Sequence, residues 1–221
     1  MKAIKILLPV LIITVFSCAP SRFVKPLKKG ESAIGFNAGG PLIHFSGNVI
    51  PVPFSSVYYG YGLSEKGTVS GGFHITSMMY KTFQIDLGYT NQLFYQKNLM
   101  PGVSFYGGIN SMYGFRKNDF RIYPSLDINA FWDYDNDKMM SYVGLSNWFD
   151  PHPGKVEEGS EYRLWRASFL LGQNFRFGSY ELELEYKFLG IGLDNTKTVV
   201  DYATKFNTGA HGIYFQIMKK F

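Results

Sequence analysis

The sequence predicts an all-β protein, a closed antiparallel up-and-down transmembrane β-barrel of about ten strands. Three observations predict it. Apolar residues recur with period two over long runs, the spacing of a strand with two unlike faces. Aromatics are abundant, with Phe 20, Tyr 16 and Trp 3 among 221 residues, while charged residues reach 18%, below the roughly 25% of an ordinary soluble domain. Beyond residue 17 no stretch approaches the about 20 apolar residues that a membrane helix needs, and mean hydropathy is only −0.07.

The first elements along the chain are a leader and a tether. Lys2 and Lys5 flank the start of an apolar run over residues 6–16. That run is too short to span a bilayer and fits the apolar region of a secretory signal, so residues 1–17 read as a signal peptide. The four residues Val15-Phe16-Ser17-Cys18 resemble the lipobox of bacterial lipoproteins, in which cleavage falls just before a cysteine that becomes the lipidated N-terminus. An ordinary cut through Ser17-Cys18-Ala19 is the alternative, but it would leave Pro20 directly after the cut. Cys18 is the only cysteine, so it has no intramolecular disulfide partner, and the resemblance implies that it carries lipid. Residues 18–29, basic and Pro-containing, are then expected to form a flexible tether along an anionic membrane surface.

Net charge is +5, from 22 Lys and Arg against 17 Asp and Glu. Lys2, Lys5, Arg22, Lys25, Lys28 and Lys29 supply six of those cations, which leaves 16 against 17 for residues 30–221. The body is neutral. No basic face is available for nucleic acid.

From residue 30 onward, strands are expected near 31–39, 54–63, 67–77, 82–91, 102–114, 120–134, 138–149, 162–177, 180–189 and 209–221. Eight or twelve strands result if 92–101 is divided differently. Residues 180–188 alternate most cleanly: Tyr180, Leu182, Leu184, Tyr186 and Phe188 share one face, and Glu181, Glu183, Glu185 and Lys187 the other. Residues 120–134 set Phe120, Ile122, Leu126, Ile128, Ala130 and Trp132 against Arg121, Asp127, Asn129 and Asp133. Residues 165–177 repeat the pattern, with Arg166, Ser168, Asn174 and Arg176 on the polar side. If Gly178-Ser179 is a type II′ turn, Phe177 faces Tyr180 and Arg176 faces Glu181, and both faces stay consistent along the hairpin. A turn centred on Asn136-Asp137 sets Trp132 opposite Ser141 and Ile128 opposite Leu145.

The class depends on which face is outside. A soluble sandwich would bury the aromatic face, whereas a membrane barrel turns it to lipid and lines its interior with the polar face. Gly60, Gly62, Gly72, Gly88, Gly108, Gly144 and Gly172 lie on the polar face, which suits a crowded interior. Tyr61, Tyr80, Tyr113, Trp132, Tyr134, Trp165, Phe177 and Tyr180 lie near strand ends, where an interfacial girdle would be. Ile213, Phe215 and Ile217 share parity with the final Phe221. Residues 30–221 thus resemble, in general pattern, the small outer-membrane β-barrel lipoproteins of Gram-negative bacteria. The resemblance implies outer-membrane localisation, contact with outer-membrane lipid, and handling by the barrel-assembly and lipoprotein-sorting machineries. With both chain ends on the periplasmic side, 64–67, 92–101, 135–137 and 178–179 become periplasmic turns, and 40–53, 150–161 and 190–208 become outer loops.

Chemistry is sparse. CxxC, HExxH, P-loop and GxSxG motifs are all missing, and no cofactor or metal is expected. Asp133, Asp135 and Asp137 mimic the start of a calcium loop, but Lys138 replaces the required Gly and Gly144 stands where Glu is needed. A polar turn is the simpler account. His74 and Asp86 point inward on neighbouring strands. Arg166, Arg176, Glu181, Glu183, Glu185 and Lys187 form a ladder of interior charges, which either lines a narrow passive pore or pairs off and plugs the lumen. Plugging is favoured, because barrels of this strand number leave little room beyond their side chains. One enzyme hypothesis remains, an acyl-ester hydrolase at the outer rim. There His44, Ser46 and His211 would be neighbours once the first and last strands meet, with His activating Ser as a nucleophile.

Overall fold

The computed structural model describes residues 20, 22–152, 164–196, 200–204 and 207–221. Its elements are β1 (Ser32–Phe45), β2 (Asn48–Pro51), β3 (Phe54–Ser64), β4 (Gly67–His74), α1 (Ile75–Met79), β5 (Thr82–Phe94), β6 (Gly102–Gly114), β7 (Asp119–Tyr134), β8 (Met139–Phe149), β9 (Trp165–Phe177), β10 (Tyr180–Asp194) and β11 (Thr208–Lys220). All strands but β2 pair in chain order, each antiparallel to the next, and β11 returns to β1. That closing seam runs from Ala33 opposite Lys220 to Pro41 opposite Gly212. The result is the expected up-and-down barrel, of ten strands, with one short strand outside it. Closure removes the strand edges of the barrel wall, leaving β2 paired on one side only.

Both inferred hairpin registers are present. Phe177 faces Tyr180, Arg176 faces Glu181 and Leu171 faces Tyr186. Gly178 supplies the positive φ, 61°, that a turn of this kind requires at its first position. Trp132 faces Ser141 and Ile128 faces Leu145. The intervening turn holds Asp135, Asn136 and Asp137 at φ of 52°, 54° and 62°, a left-handed run that Asn and Asp tolerate better than other non-glycine residues.

Three segments depart from expectation. Residues 40–53 were expected as an outer loop; β1 instead continues to Phe45 and folds back as β2, with His44 opposite Val49. The strand expected over 67–77 ends at His74 and passes into α1. Within the loop expected over 190–208, β10 runs on to Asp194, and Tyr202 bridges to Ile43. Apolar contact explains that fold-over: Tyr202 packs with Leu189 and Ala210, and Ile43, Leu193 and Val200 pack against them.

The outer surface is apolar. Leu87, Ile109, Ile128, Leu145, Leu171 and Leu184 are exposed, Leu184 by 54%, whereas Glu185 beside it is 1% exposed. Alternation thus places leucine outside and glutamate inside, the reverse of a soluble barrel. Exposed aromatics gather at the two ends. Tyr61, Tyr134, Phe177 and Tyr180 lie near the mouth formed by Ser32 and Lys220, called here the near mouth, and Tyr80, Phe120 and Trp165 near the far mouth. Among the described residues, no helix is long and apolar enough to cross a membrane.

Candidate functional site: a self-occupied lumen

The ten strands enclose a lumen whose wall is cut to receive side chains. At several inward glycines, an aromatic from the neighbouring strand fills the place a side chain would take. A Cβ on Gly35 would strike the ring of Tyr58, one on Gly172 the ring of Tyr142, and one on Gly102 the ring of Phe131. In each case glycine and aromatic are direct cross-strand partners. These aromatics are buried, so part of the aromatic content that looks like a lipid-facing girdle in fact fills the interior.

From the near mouth to the level of Asp86, the lumen is filled by the chain itself. Residues 22–29 do not lie along a surface as a free tether; they run from the near mouth into the lumen. Phe23, Val24 and Leu27 are buried. Phe23 packs edge-on against Tyr58 at 5.7 Å and occupies the space above Gly60; the backbone of Leu27 and Lys28 lies over Gly62, and the Arg22 guanidinium over Gly72. Leu27 N donates to Thr68 Oγ1 at 2.7 Å, and Ser104 Oγ donates to the Val24 carbonyl at 2.5 Å. The physical reason is twofold. Three wall glycines leave a groove that no wall side chain fills, and the wall carries carboxylates that attract the segment's cations.

Two charge clusters result. In the first, the Arg22 guanidinium pairs with Asp86, donating to Asp86 Oδ2 at 2.8 Å and to Ser56 Oγ at 3.2 Å. It also stacks 5.0 Å from the centre of the Tyr58 ring. His74 Nε2 lies 2.7 Å from the same carboxylate, so the two inward residues on neighbouring strands meet, and Arg22 joins them from the inserted segment. In the second cluster, Asp133 accepts from Lys25 Nζ and Arg176 at 2.7 Å each. Arg176 Nε is 3.2 Å from Glu181, which also pairs with Lys220. Tyr142 donates to Glu183 at 2.9 Å and lies 2.8 Å from Glu185. Lys187 stands 3.3 Å from Glu185. Within the ladder, Arg176 therefore pairs with Glu181 and Lys187 with Glu185, while Glu183 is held by the Tyr142 hydroxyl rather than by a cation. Arg166 stands apart from it, 3.4 Å from Asp150 towards the far mouth.

Beyond the tip of the inserted segment lies a cavity of about 60 Å³, bordered by Pro20, Arg22, Tyr106, Asp127, Asn129 and Lys187 among others. Asp127 Oδ1 is buried there without a hydrogen-bond partner. Farther out, Tyr123 stacks on Trp148 with centroids 5.3 Å apart, narrowing the far half.

The rim group proposed for ester hydrolysis is not assembled. His211 lies on the outer wall with Nδ1 2.6 Å from the Tyr186 hydroxyl. Ser46 sits at the exposed tip of the β1–β2 hairpin, at φ 51°, and His44 is exposed on the hairpin arm. Pro41 is the last β1 residue paired with β11, opposite Gly212, which leaves Ser46 about four residues, or ~13 Å, beyond the level of His211. The hairpin extends past the barrel seam and carries the serine away. Asp135 and Asp137 lie in the turn described above, and Asp133, in β7 just before it, is committed to Lys25 and Arg176. Among the described residues, no cluster of His, Cys, Asp and Glu is placed to hold a metal ion. The signal peptide expected at 1–17 and the lipidation expected at Cys18 lie outside the described residues.

No family model matches the chain, and no curated protein matches it. Among solved structures it is similar to the translocator domain of autotransporter NalP from Neisseria meningitidis, at 10% identity over 90% of this chain and 91% of that one, with a TM-score of 0.47. It is similar to the NanC porin at 9% identity over 85% of this chain and 100% of that one, with a TM-score of 0.45. The outer membrane protein OprG from Pseudomonas aeruginosa matches at 12% identity over 89% of this chain and 98% of that one, with a TM-score of 0.36. At these values the matches carry no information on ligand or activity.

Proposed function

We propose that the chain is an integral β-barrel of a bacterial outer membrane, lipidated at Cys18, whose closed lumen suits it to a structural or binding role at the envelope rather than to free passage of solutes. The apolar outer wall with an aromatic band at each end supports the membrane setting, because it matches the pattern lipid demands of a barrel exterior. The observation that carries the closed state is the seating of residues 22–29 in the lumen, with Phe23 5% and Leu27 2% exposed. A narrow passive pore would need that path clear.

Planar-bilayer recording tests this directly. The purified barrel should insert without steady conductance steps; stable, voltage-independent open steps would contradict it. Lipidation is tested separately. Cys18→Ser should accumulate as unprocessed precursor, because the thiol is the acylated atom, and normal N-terminal processing of that variant would defeat the anchor. Cys18 lies only four residues before Arg22, a reach of about 14 Å at full extension. A lipid there and a seated Arg22 therefore constrain one another closely.

A further inference from the structure

We propose that the lumen from the near mouth to the level of Asp86 is a peptide-binding seat, occupied in cis by residues 22–29, and that this segment is exchangeable rather than a fixed part of the barrel. The ligand class is an extended basic chain carrying an arginine, an adjacent aromatic and a lysine at the spacing of Arg22, Phe23 and Lys25.

Four observations carry this. First, the barrel wall closes without the segment: every strand has both neighbours within the wall, and β11 seals onto β1. The bonds to residues 22–28 come from single groups such as Thr68, Ser104 and Gln216, and Pro26 has no N–H to offer a ladder. Second, each carboxylate that grips the segment has another partner on the wall. Asp86 has His74 at 2.7 Å, and Asp133 has Arg176 at 2.7 Å. Withdrawal of Arg22 and Lys25 therefore leaves neither acid alone. Third, the wall is acidic without the segment. Asp86, Asp127, Asp133, Glu181, Glu183 and Glu185 face the lumen against Arg176 and Lys187, with Lys220 at the near mouth. Such a cavity favours a cationic occupant. Fourth, the seat is shaped for a chain. The space above Gly60, Gly62 and Gly72 is filled by Phe23, by the backbone at Leu27 and Lys28, and by Arg22. A groove of glycines that admits backbone and ring together reads sequence as well as charge.

The test uses the whole chain in detergent micelles, so it does not depend on the membrane setting. Arg22→Glu with Lys25→Glu sets carboxylates against Asp86 and Asp133 and should expel the segment while the barrel still migrates as a folded species on unheated gels. A fluorescent synthetic peptide spanning residues 19–30 should then bind the double variant saturably, at least tenfold more tightly than it binds the unmodified barrel. Binding should weaken as salt rises, and the same peptide with glutamate at positions 22 and 25 should not bind. Equal binding to both barrels, or none to the folded double variant, overturns the proposal. If the double variant does not assemble, deletion of residues 20–29 replaces it. Failure of that variant to form a barrel would also overturn the proposal, because the segment would then be a fixed part of the fold.

Discussion

Arg176 and Glu181 face one another at 3.2 Å across the β9–β10 hairpin, but neither is a private partner. Arg176 also holds Asp133, and Glu181 also takes Lys220. Glu181→Leu should therefore lower the urea midpoint for loss of the folded gel species by the equivalent of about 2–3 kcal/mol, somewhat below the loss for an isolated buried pair. Pairing alone would let a double reversal, Arg176→Glu with Glu181→Arg, rescue the hairpin. The network forbids it, because the new carboxylate would face Asp133 and the new guanidinium would face Lys220. The double variant should be no more stable than the worse single one, and full rescue would contradict the network. Gly172 gives a second test. A Cβ there runs into the Tyr142 ring, so Gly172→Ala should destabilise by roughly 1–3 kcal/mol. Gly107→Ala meets only Phe105, at 3.4 Å, and should change the same midpoint little. The inward tyrosines were hidden in the sequence because aromatics are also what a lipid-facing wall uses. The signal that marks them is register: an inward glycine directly opposite an aromatic of the same parity, as at Gly35 and Tyr58.

At the scale of elements, period-two alternation was legible because the two faces of each strand meet opposite solvents. Leu184 and Glu183 make the contrast testable. Leu184→Lys places a cation in hydrocarbon, costing about 2–4 kcal/mol near the midplane and less towards an interface. Glu183→Lys acts inside the lumen among Tyr142, Asn174 and neighbouring acids, and should leave barrel assembly in lipid vesicles nearly intact. Normal assembly of Leu184→Lys alongside failure of Glu183→Lys would mean that the faces are exchanged. The β1–β2 hairpin was not legible, because residues 40–53 are apolar, Pro-rich and without a two-residue period. What orders it is tertiary: Ile43 bridges to Tyr202, and the His44 N–H donates to the Asp201 carbonyl.

For the molecule as a whole, the missing part of the sequence-based picture was the destination of residues 22–29. Read locally, a basic, Pro-containing stretch after a leader looks like a tether on an anionic surface. Its partner is instead the barrel interior, where inward glycines without a facing side chain and an excess of inward carboxylates call for an apolar, cationic filler. Both halves of that match are written in the chain, but they become visible only when closure brings the strands carrying Gly60, Asp86 and Asp133 around one space.

The central claim, that this segment sits inside the barrel, is tested most directly by cross-linking. Ser104 Oγ donates to the Val24 backbone carbonyl at 2.5 Å, which sets residues 24 and 104 side by side. Val24→Cys with Ser104→Cys, in a Cys18→Ser chain refolded into detergent micelles where export and processing play no part, therefore brings two thiols to that lumen contact. Mild oxidation of the assembled barrel should form the intramolecular disulfide nearly completely. The product should show a heat-resistant shift in gel mobility that reductant reverses, and both thiols should be protected from a bulky water-soluble maleimide. Rapid labelling of residue 24 by that maleimide, with no disulfide formed, would place the segment outside the lumen and contradict the account.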